Sequence, residues 1–412
     1  MARPKFTGSF TQQEPIPEAG IAAALEVMRS GRLHRYNTGP GGTAETAILE
    51  AEYAAWQGVP YCLALASGGQ AIQIALRAVG VMPGDGVLTN AFTLAPVPGA
   101  IAAVGGAPLL VEITEDLVLD LDDLDRKARA SGARVLLLSH MRGHLCDMEA
   151  LVALARDLDL ILVEDCAHTM GARWNGTRSG NFGRVACFST QTYKHMNSGE
   201  GGFLTTSDAE IMARAVMMSG SYMLYERHGA APAPESFAEA RLDTPNMSAR
   251  MDNLRAAILR PQLAGIDAAI AGWNARYDLV AGILSQHPAF ALPRRPVAES
   301  YVGSSIQFRL PGLGPEGSEA FVAEAADRGV ELKWFGAAEP RGFTSAHPSW
   351  RYVEAQAMPQ SDAIMADLFD MRLPLTFSPE DCDLIAHHIL DAADAVQSSA
   401  LGGLHAGRGV VR

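Results

Sequence analysis

Between residues 61 and 206 the chain repeats one pattern: a short, nearly all-apolar run, then a helix-forming stretch. The apolar runs are Tyr61–Ala66, Gly86–Ala91, Pro108–Ile113, Arg134–Ser139, Leu160–Asp165, Val185–Ser189 and Gly202–Thr206. Helical stretches fall between many of them, at Gln70–Val79, Thr93–Val104, Leu121–Ala130 and Glu149–Asp157. Strands that are apolar on both faces need cover on both faces. The pattern therefore predicts an α/β fold with a mainly parallel sheet between layers of helices. Ligands of such sheets gather at the C-terminal strand ends. Those ends carry Ser67-Gly68-Gly69, Phe92-Thr93, His140, Asp165 and Ser189.

The flanking regions have a different rhythm. Helices are expected at Glu18–Met28 and Glu45–Trp56, and a long one from Ser248 past Tyr277, kinked at Pro261. Strands near Ser304–Leu310 and Val330–Trp334 and a last helix at Pro379–Val396 suggest a second unit. The expected division is a large domain over 15–278, a smaller C-terminal α/β domain over 279–396, and a flexible tail over 397–412.

Composition narrows the function. With 48% hydrophobic and 19% charged residues, the 412-residue chain suits a well-packed core. A formal net charge of −13 argues against nucleic acid or an anionic membrane as partner. The five cysteines stand singly, which fits buried thiols and a reducing cytoplasm. Neither a signal peptide nor a membrane span is evident, and no His/Cys/Asp cluster has metal-ligand spacing.

Two residues suggest specific chemistry. Asp165 ends an apolar strand, and Lys194 follows in a run flanked by Gly199, Gly201 and Gly202. A lysine and a strand-end carboxylate are the protein groups that pyridoxal phosphate needs. One forms a Schiff base and shuttles protons; the other keeps the pyridinium nitrogen protonated. Each has a plainer reading as well: a turn acid, and a solvated surface lysine. Ser67-Gly68-Gly69 opens a helix, as a phosphate cradle or an ordinary turn would. His140, His168 and His195 read equally as core histidines or as site groups.

Together these segments resemble the DegT/DnrJ/EryC1/StrS aminotransferase family. The likeness runs over about residues 15 to 395. It rests on Thr38-Gly39-Pro40, Ala66-Ser67-Gly68-Gly69-Gln70-Ala71, Pro83-Gly84-Asp85, Glu164-Asp165-Cys166-Ala167-His168 and Phe188-Ser189. Lys194, Gly199-Glu200-Gly201-Gly202 and Arg372-Leu373-Pro374-Leu375 extend it. The resemblance implies the fold type I of pyridoxal 5'-phosphate enzymes and a homodimer with shared active sites. By matching position, Lys194 is the Schiff-base lysine and acid/base, and Asp165 the pyridinium partner. Ser67, Gly68, Gly69 and Ser189 surround the phosphate, and His168 packs on the ring.

Three positions depart from the family pattern. Leu94 stands where the family has a stacking aromatic, so the ring meets either Phe92 or Leu94. Ser248 replaces the asparagine that reaches the partner's phosphate. Gly183-Arg184 replaces a Gly-Asp pair. The implied activity moves an amino group from glutamate or glutamine to a nucleotide-linked keto-sugar or a keto-cyclitol. Arg227, His228, Arg250, Lys333 and Trp334 are the candidate acceptor contacts. The alternatives are a non-sugar keto or aldehyde acceptor and a non-catalytic regulatory protein of the same fold. A sugar 3-dehydratase of the family would carry histidine at position 194.

Overall fold

The computed structural model describes residues 3–339 and 346–406. Nine strands lie in the first half: β1 Tyr61–Leu65, β2 Gly86–Asn90, β3 Ala107–Val111, β4 Val135–Ser139, β5 Ile161–Asp165, β6 Arg173–Trp174, β7 Thr177–Arg178, β8 Val185–Ser189 and β9 Gly202–Thr206. Seven of them form one sheet in the order β1-β9-β8-β5-β4-β2-β3. All its pairings are parallel except those of β9 with β1 and β8. The α/β fold with a mainly parallel sheet is the one expected. Alternate strand residues enter different cores, as a period of two requires. Val163 and Cys187 join Ile72, Ala75 and Leu76 of helix Gly68–Ala78, whereas Leu162 packs with Leu138 and Leu151 on the other face.

The outer edge of β1 is covered. Ala66 N–H donates to Ala249 O (2.8 Å), and the buried Glu50 and Arg35 side chains satisfy the N–H and C=O of Ala64. Buried backbone groups need such partners. This explains why helix does not begin at Ser248. Residues 249–251 run alongside β1, and the helix starts at Asn253, capped by Asp252. The long helix is also interrupted, though not at Pro261, where a kink was expected. That proline sits inside helix Asn253–Ala264, and the break falls at Gly265, before helix Ile266–Leu284.

Four more strands follow, β10 Glu299–Ser300, β11 Ser305–Arg309, β12 Lys333–Trp334 and β13 Leu368–Arg372, and the second core gathers around the last three. β10 joins β6 and β7, while β11, β13 and β12 form a small antiparallel sheet. Phe308, Phe321 and Phe369 pack there against Ile385 and Ile389 of the last helix. Two outlying stretches contribute as well. Phe6 and Phe10 come from the N-terminus, and Tyr277, Val280 and Leu284 from helix Ile266–Leu284, which runs across position 278. The last helix extends over Pro379–Ala406, ten residues into the stretch expected to be a flexible tail; the rest of that stretch lies outside the described residues.

Candidate active site

Sheet register builds the first part of the site. Ser139 and Asp165 are direct partners in the parallel pair β4–β5, at the C-terminal end of each strand. Ser139 Oγ donates to Asp165 Oδ2 (3.0 Å) and accepts from Thr93 Oγ1 (2.8 Å). Asp165 Oδ1 accepts from the Ala167 N–H (3.1 Å). Burial raises the pKa of Asp165, and the Ala167 amide, Lys194 and Ser139 oppose that rise. A cation placed beside this carboxylate would hold it ionised.

The adjacent Glu164 points to the opposite face. Its oxygens accept from the amides of Gly180, Phe182 and Gly183 and contact His140 Nε2. His140, Glu164 and Cys166 lie within 4.8 Å of one another, a cluster that their spacing did not suggest. The carboxylate is already committed to three backbone amides, which accounts for its burial.

A second register relationship makes the cradle. Gly202 of β9 lies opposite both Leu65 of β1 and Ser189 of β8. The turn at Ser67-Gly68 crosses directly over it. A Cβ on Gly202 would fall 2.6 Å from Gly68 N, and one on Gly68 would fall 2.8 Å from Ser189 Cβ. Ser67 Oγ caps the helix Gly68–Ala78 at Gln70 N–H. Among the described residues, the amides of Gly68 and Gly69 have no acceptor. Two free amides at a helix N-terminus, beside the Ser189 hydroxyl, suit a phosphate.

Lys194 lies on the loop between β8 and β9, which bonds back on itself through Thr190 N–H to Gly201 O and Thr192 N–H to Gly199 O. Its Nζ is 2.7 Å from His168 Nε2. Burial, with Arg142 and Arg372 nearby, pushes the lysine pKa down to about 7, while Asp165 opposes the shift. Lys194 and Asp165 thus act on each other's charge. His168 is held well below the usual histidine range, first by burial and then by Lys194 and Arg142. The hollow at Lys194 is lined by Arg142, His168, Tyr193, Ser304 and Arg372, among others. The groups that pyridoxal phosphate requires, amine, carboxylate and anion cradle, all come from the C-terminal side of one sheet.

The other expected contacts divide. Phe92 is fully buried, edge-on to Phe335 in a cluster with Ile113, Met141 and Leu368. Protein surrounds its ring, and Leu94 is the half-buried neighbour. Ser248 is exposed, with φ +50°, and both its N–H and Oγ donate to Asn246. Lys333 lines a hollow that shares Arg142 and Arg372 with the Lys194 hollow. Trp334 Nε1 donates to Ala366 O (2.8 Å). Arg227, His228 and Arg250 do not line the Lys194 hollow. Arg227 donates to Tyr36 O, His228 is buried against Tyr36 and Glu50, and Arg250 donates to Gly220 O. Local sequence gave no reason to place them elsewhere, because that cluster joins residues nearly 200 positions apart.

Arg142, Ser139 and Asp370 were not singled out as site groups, and Thr93 was named only with Phe92 at its strand end. Arg142 is buried at φ +57° and pairs with Asp370 (2.5 Å) across from the second core. Only the fold brings these residues together, although Ser139 could have been suspected from its strand-end position.

This geometry belongs to a class, the pyridoxal-phosphate-dependent aminotransferases with an α/β sheet. The profile of the DegT/DnrJ/EryC1/StrS aminotransferase family matches residues 16–390, and the chain belongs to that family. It is 28% identical over 398 residues to 3-amino-5-hydroxybenzoate synthase of Amycolatopsis mediterranei (strain S699), covering 95% of this chain and 94% of that one. It is 35% identical over 263 residues to dTDP-3-amino-3,4,6-trideoxy-alpha-D-glucose transaminase of Streptomyces venezuelae, covering 63% and 62%. The crystal structure of 3-amino-5-hydroxybenzoic acid synthase superposes with a TM-score of 0.81 at 24% identity, covering 96% of this chain and all of that one. The protein is a pyridoxal-phosphate-dependent transaminase.

Proposed function

We propose that the chain moves an amino group from glutamate or glutamine to a keto-sugar carried on a nucleotide, or to a keto-cyclitol, with Lys194 as the proton carrier. The observation that carries this reading is the 2.7 Å contact between Lys194 Nζ and His168 Nε2. Arg142 N–H donates to His168 Nδ1 (3.4 Å), so in the neutral ring the proton sits on Nε2. Nε2–H then donates to the lysine nitrogen, which must be unprotonated to accept. A pKa near 7 makes that state accessible. A neutral amine beside the reacting carbon can take up and return a proton.

Pyridoxal phosphate, when bound, supplies an aldehyde carbon for the amine and a ring that accepts electrons. Asp165 would meet the ring nitrogen. Gly68, Gly69 and Ser189 would hold the phosphate, with Ser67 capping the helix. His168 and Leu94 would pack on the ring. The family relatives that aminate sugars favour the sugar acceptor.

A homodimer in the cytoplasm completes the proposal. Ile21, Leu25 and Met28 share one face of the first helix and are 40%, 40% and 50% exposed. Such a stripe suits a protein partner. Among the described residues, no helix is long and apolar enough to cross a membrane.

The test is spectroscopic. Borohydride should bleach the yellow protein and leave the cofactor on Lys194. Lys194→Ala should bind cofactor weakly without turnover, and Asp165→Asn should lose most activity. Full turnover in Lys194→Ala would refute the lysine's role. Adding glutamate, then candidate keto-sugars, should reverse the colour change with one acceptor class.

A further inference from the structure

The N-terminal segment ties the two cores together beside the lysine. Phe6 and Phe10 are edge-on to Phe377 in the second core, and Phe6 N–H donates to Arg328 O (3.0 Å). Further on, helix Glu18–Ser30 lies against helix Asn253–Ala264, so closely that a Cβ on Gly20 would fall 3.3 Å from Ile258 O. Residues 11–17 span the gap between these two anchors. Pro15 and Pro17 restrict the backbone of that strap. Thr376 Oγ1 adds a tie by donating to Gln12 O (3.4 Å).

The strap borders the site through Gln13. This half-buried residue lines the Lys194 hollow and also an adjoining one that reaches Glu14, His195 and Asn197. Gln13, Lys194 and Trp273 border both hollows. Among the described residues, the Gln13 carboxamide, Asn197 Nδ2 and Trp273 Nε1 have no hydrogen-bond partner, and none of them is sealed inside protein. These three groups are polar but uncharged. A carboxamide both donates and accepts, as a hydroxyl does, so the two can pair in either sense. An indole adds an apolar face for ring C–H groups beside its N–H donor. The Glu14 carboxylate on the same wall would repel another carboxylate. The wall therefore suits a polyhydroxy ring.

We infer that Gln13 hydrogen-bonds a hydroxyl of the keto acceptor and so sets acceptor specificity, a role that rests on the reading of the acceptor given above. An acceptor without that hydroxyl would strip water from the carboxamide and leave it unpaired. A polar wall rejects such analogues for that reason.

The test uses the holoenzyme and Gln13→Leu. Each enzyme is first bleached with L-glutamate, and the return of the yellow colour is then followed with a keto compound. One probe is scyllo-inosose, which carries a hydroxyl at each ring carbon but the keto one; another is cyclohexanone, the same ring without hydroxyls. The others are dTDP-4-keto-6-deoxyglucose and 2-oxoglutarate. Wild type should prefer a hydroxylated ring to cyclohexanone. In Gln13→Leu, kcat/KM for that ring relative to 2-oxoglutarate should fall about 10-fold through a higher KM, the loss expected for one hydrogen bond. Gln13→Glu, which keeps the size and the accepting oxygens, should recover part of it. Full preference retained in Gln13→Leu would overturn the assignment, as would a wild type that takes cyclohexanone equally well. So would an equal loss with 2-oxoglutarate, which would mean that the residue only shapes the strap. In each of these cases the acceptor reading stands if a hydroxylated ring restores the colour. If wild type regains colour with 2-oxoglutarate but with neither hydroxylated ring, the acceptor reading falls, and the Gln13 role falls with it.

Discussion

Ser139 and Asp165 are hydrogen-bonded because they are register partners in adjacent parallel strands. The hydroxyl also accepts from Thr93, so three elements aim one carboxylate. Ser139→Ala should leave Asp165 Oδ2 and the Thr93 hydroxyl short of a partner in a buried place. We expect a loss of about 1–3 kcal/mol in stability and a clear fall in turnover. Denaturant unfolding and steady-state rates measure the two effects. Wild-type values for both would show that Asp165 needs no such positioning.

Gly202 is required by proximity. Its Cβ position lies 2.6 Å from Gly68 N and from Phe188 O, and both neighbours are backbone. Gly202→Ala should push the Ser67-Gly68 turn away from Ser189. The expected cost is about 1–3 kcal/mol, with weaker retention of pyridoxal phosphate. Cofactor content after dialysis and the unfolding midpoint report it. A variant as stable and as yellow as wild type would contradict the close approach.

The cofactor-free chain should become more stable as pH rises from about 7 towards 10.5. Lys194 has a folded pKa of about 7 against an ordinary value of 10.5. Between these values the unfolded lysine holds a proton that the folded one has lost, so unfolding binds a proton and stability climbs with pH. Lys333, also lowered to about 7, adds a parallel contribution. Lys194→Met should therefore flatten part of the rise in urea midpoints across that window. An unchanged slope would show that the lysine is ordinarily solvated.

Arg142 and Asp370 tie the large sheet to the small one, and both side chains are buried. Removing only the acid, as in Asp370→Ala, takes away the buried carboxylate paired with Arg142 and should cost about 3–5 kcal/mol. The double variant Arg142→Met/Asp370→Leu should recover most of that loss. Chemical unfolding of the set decides it. A double variant no better than Asp370→Ala would assign the loss to packing or to the Gln307 contact.

Much of this protein can be read locally. Each major strand of the sheet coincides with a short apolar run, because burial on both faces leaves few other residue types possible. Lys194 and Asp165 stand out by type and setting. Helix limits were less legible. Residues 249–251 have helical neighbours in sequence, yet β1 needs their backbone along its edge, and tertiary pairing overrides propensity there. Phe92 has the composition of a stacking residue, but Phe335, some 240 positions later, closes over its ring.

The order of apolar and amphipathic segments by itself determined an α/β sheet with a lysine and a carboxylate near its C-terminal edge. Only the tertiary structure decided which cations surround that lysine. Arg142 follows β4 and Arg372 ends β13, and nothing in either local segment encodes the other. Their charges add at one place because two separate cores dock there. Proton affinity depends on distance and burial, which residue order does not carry.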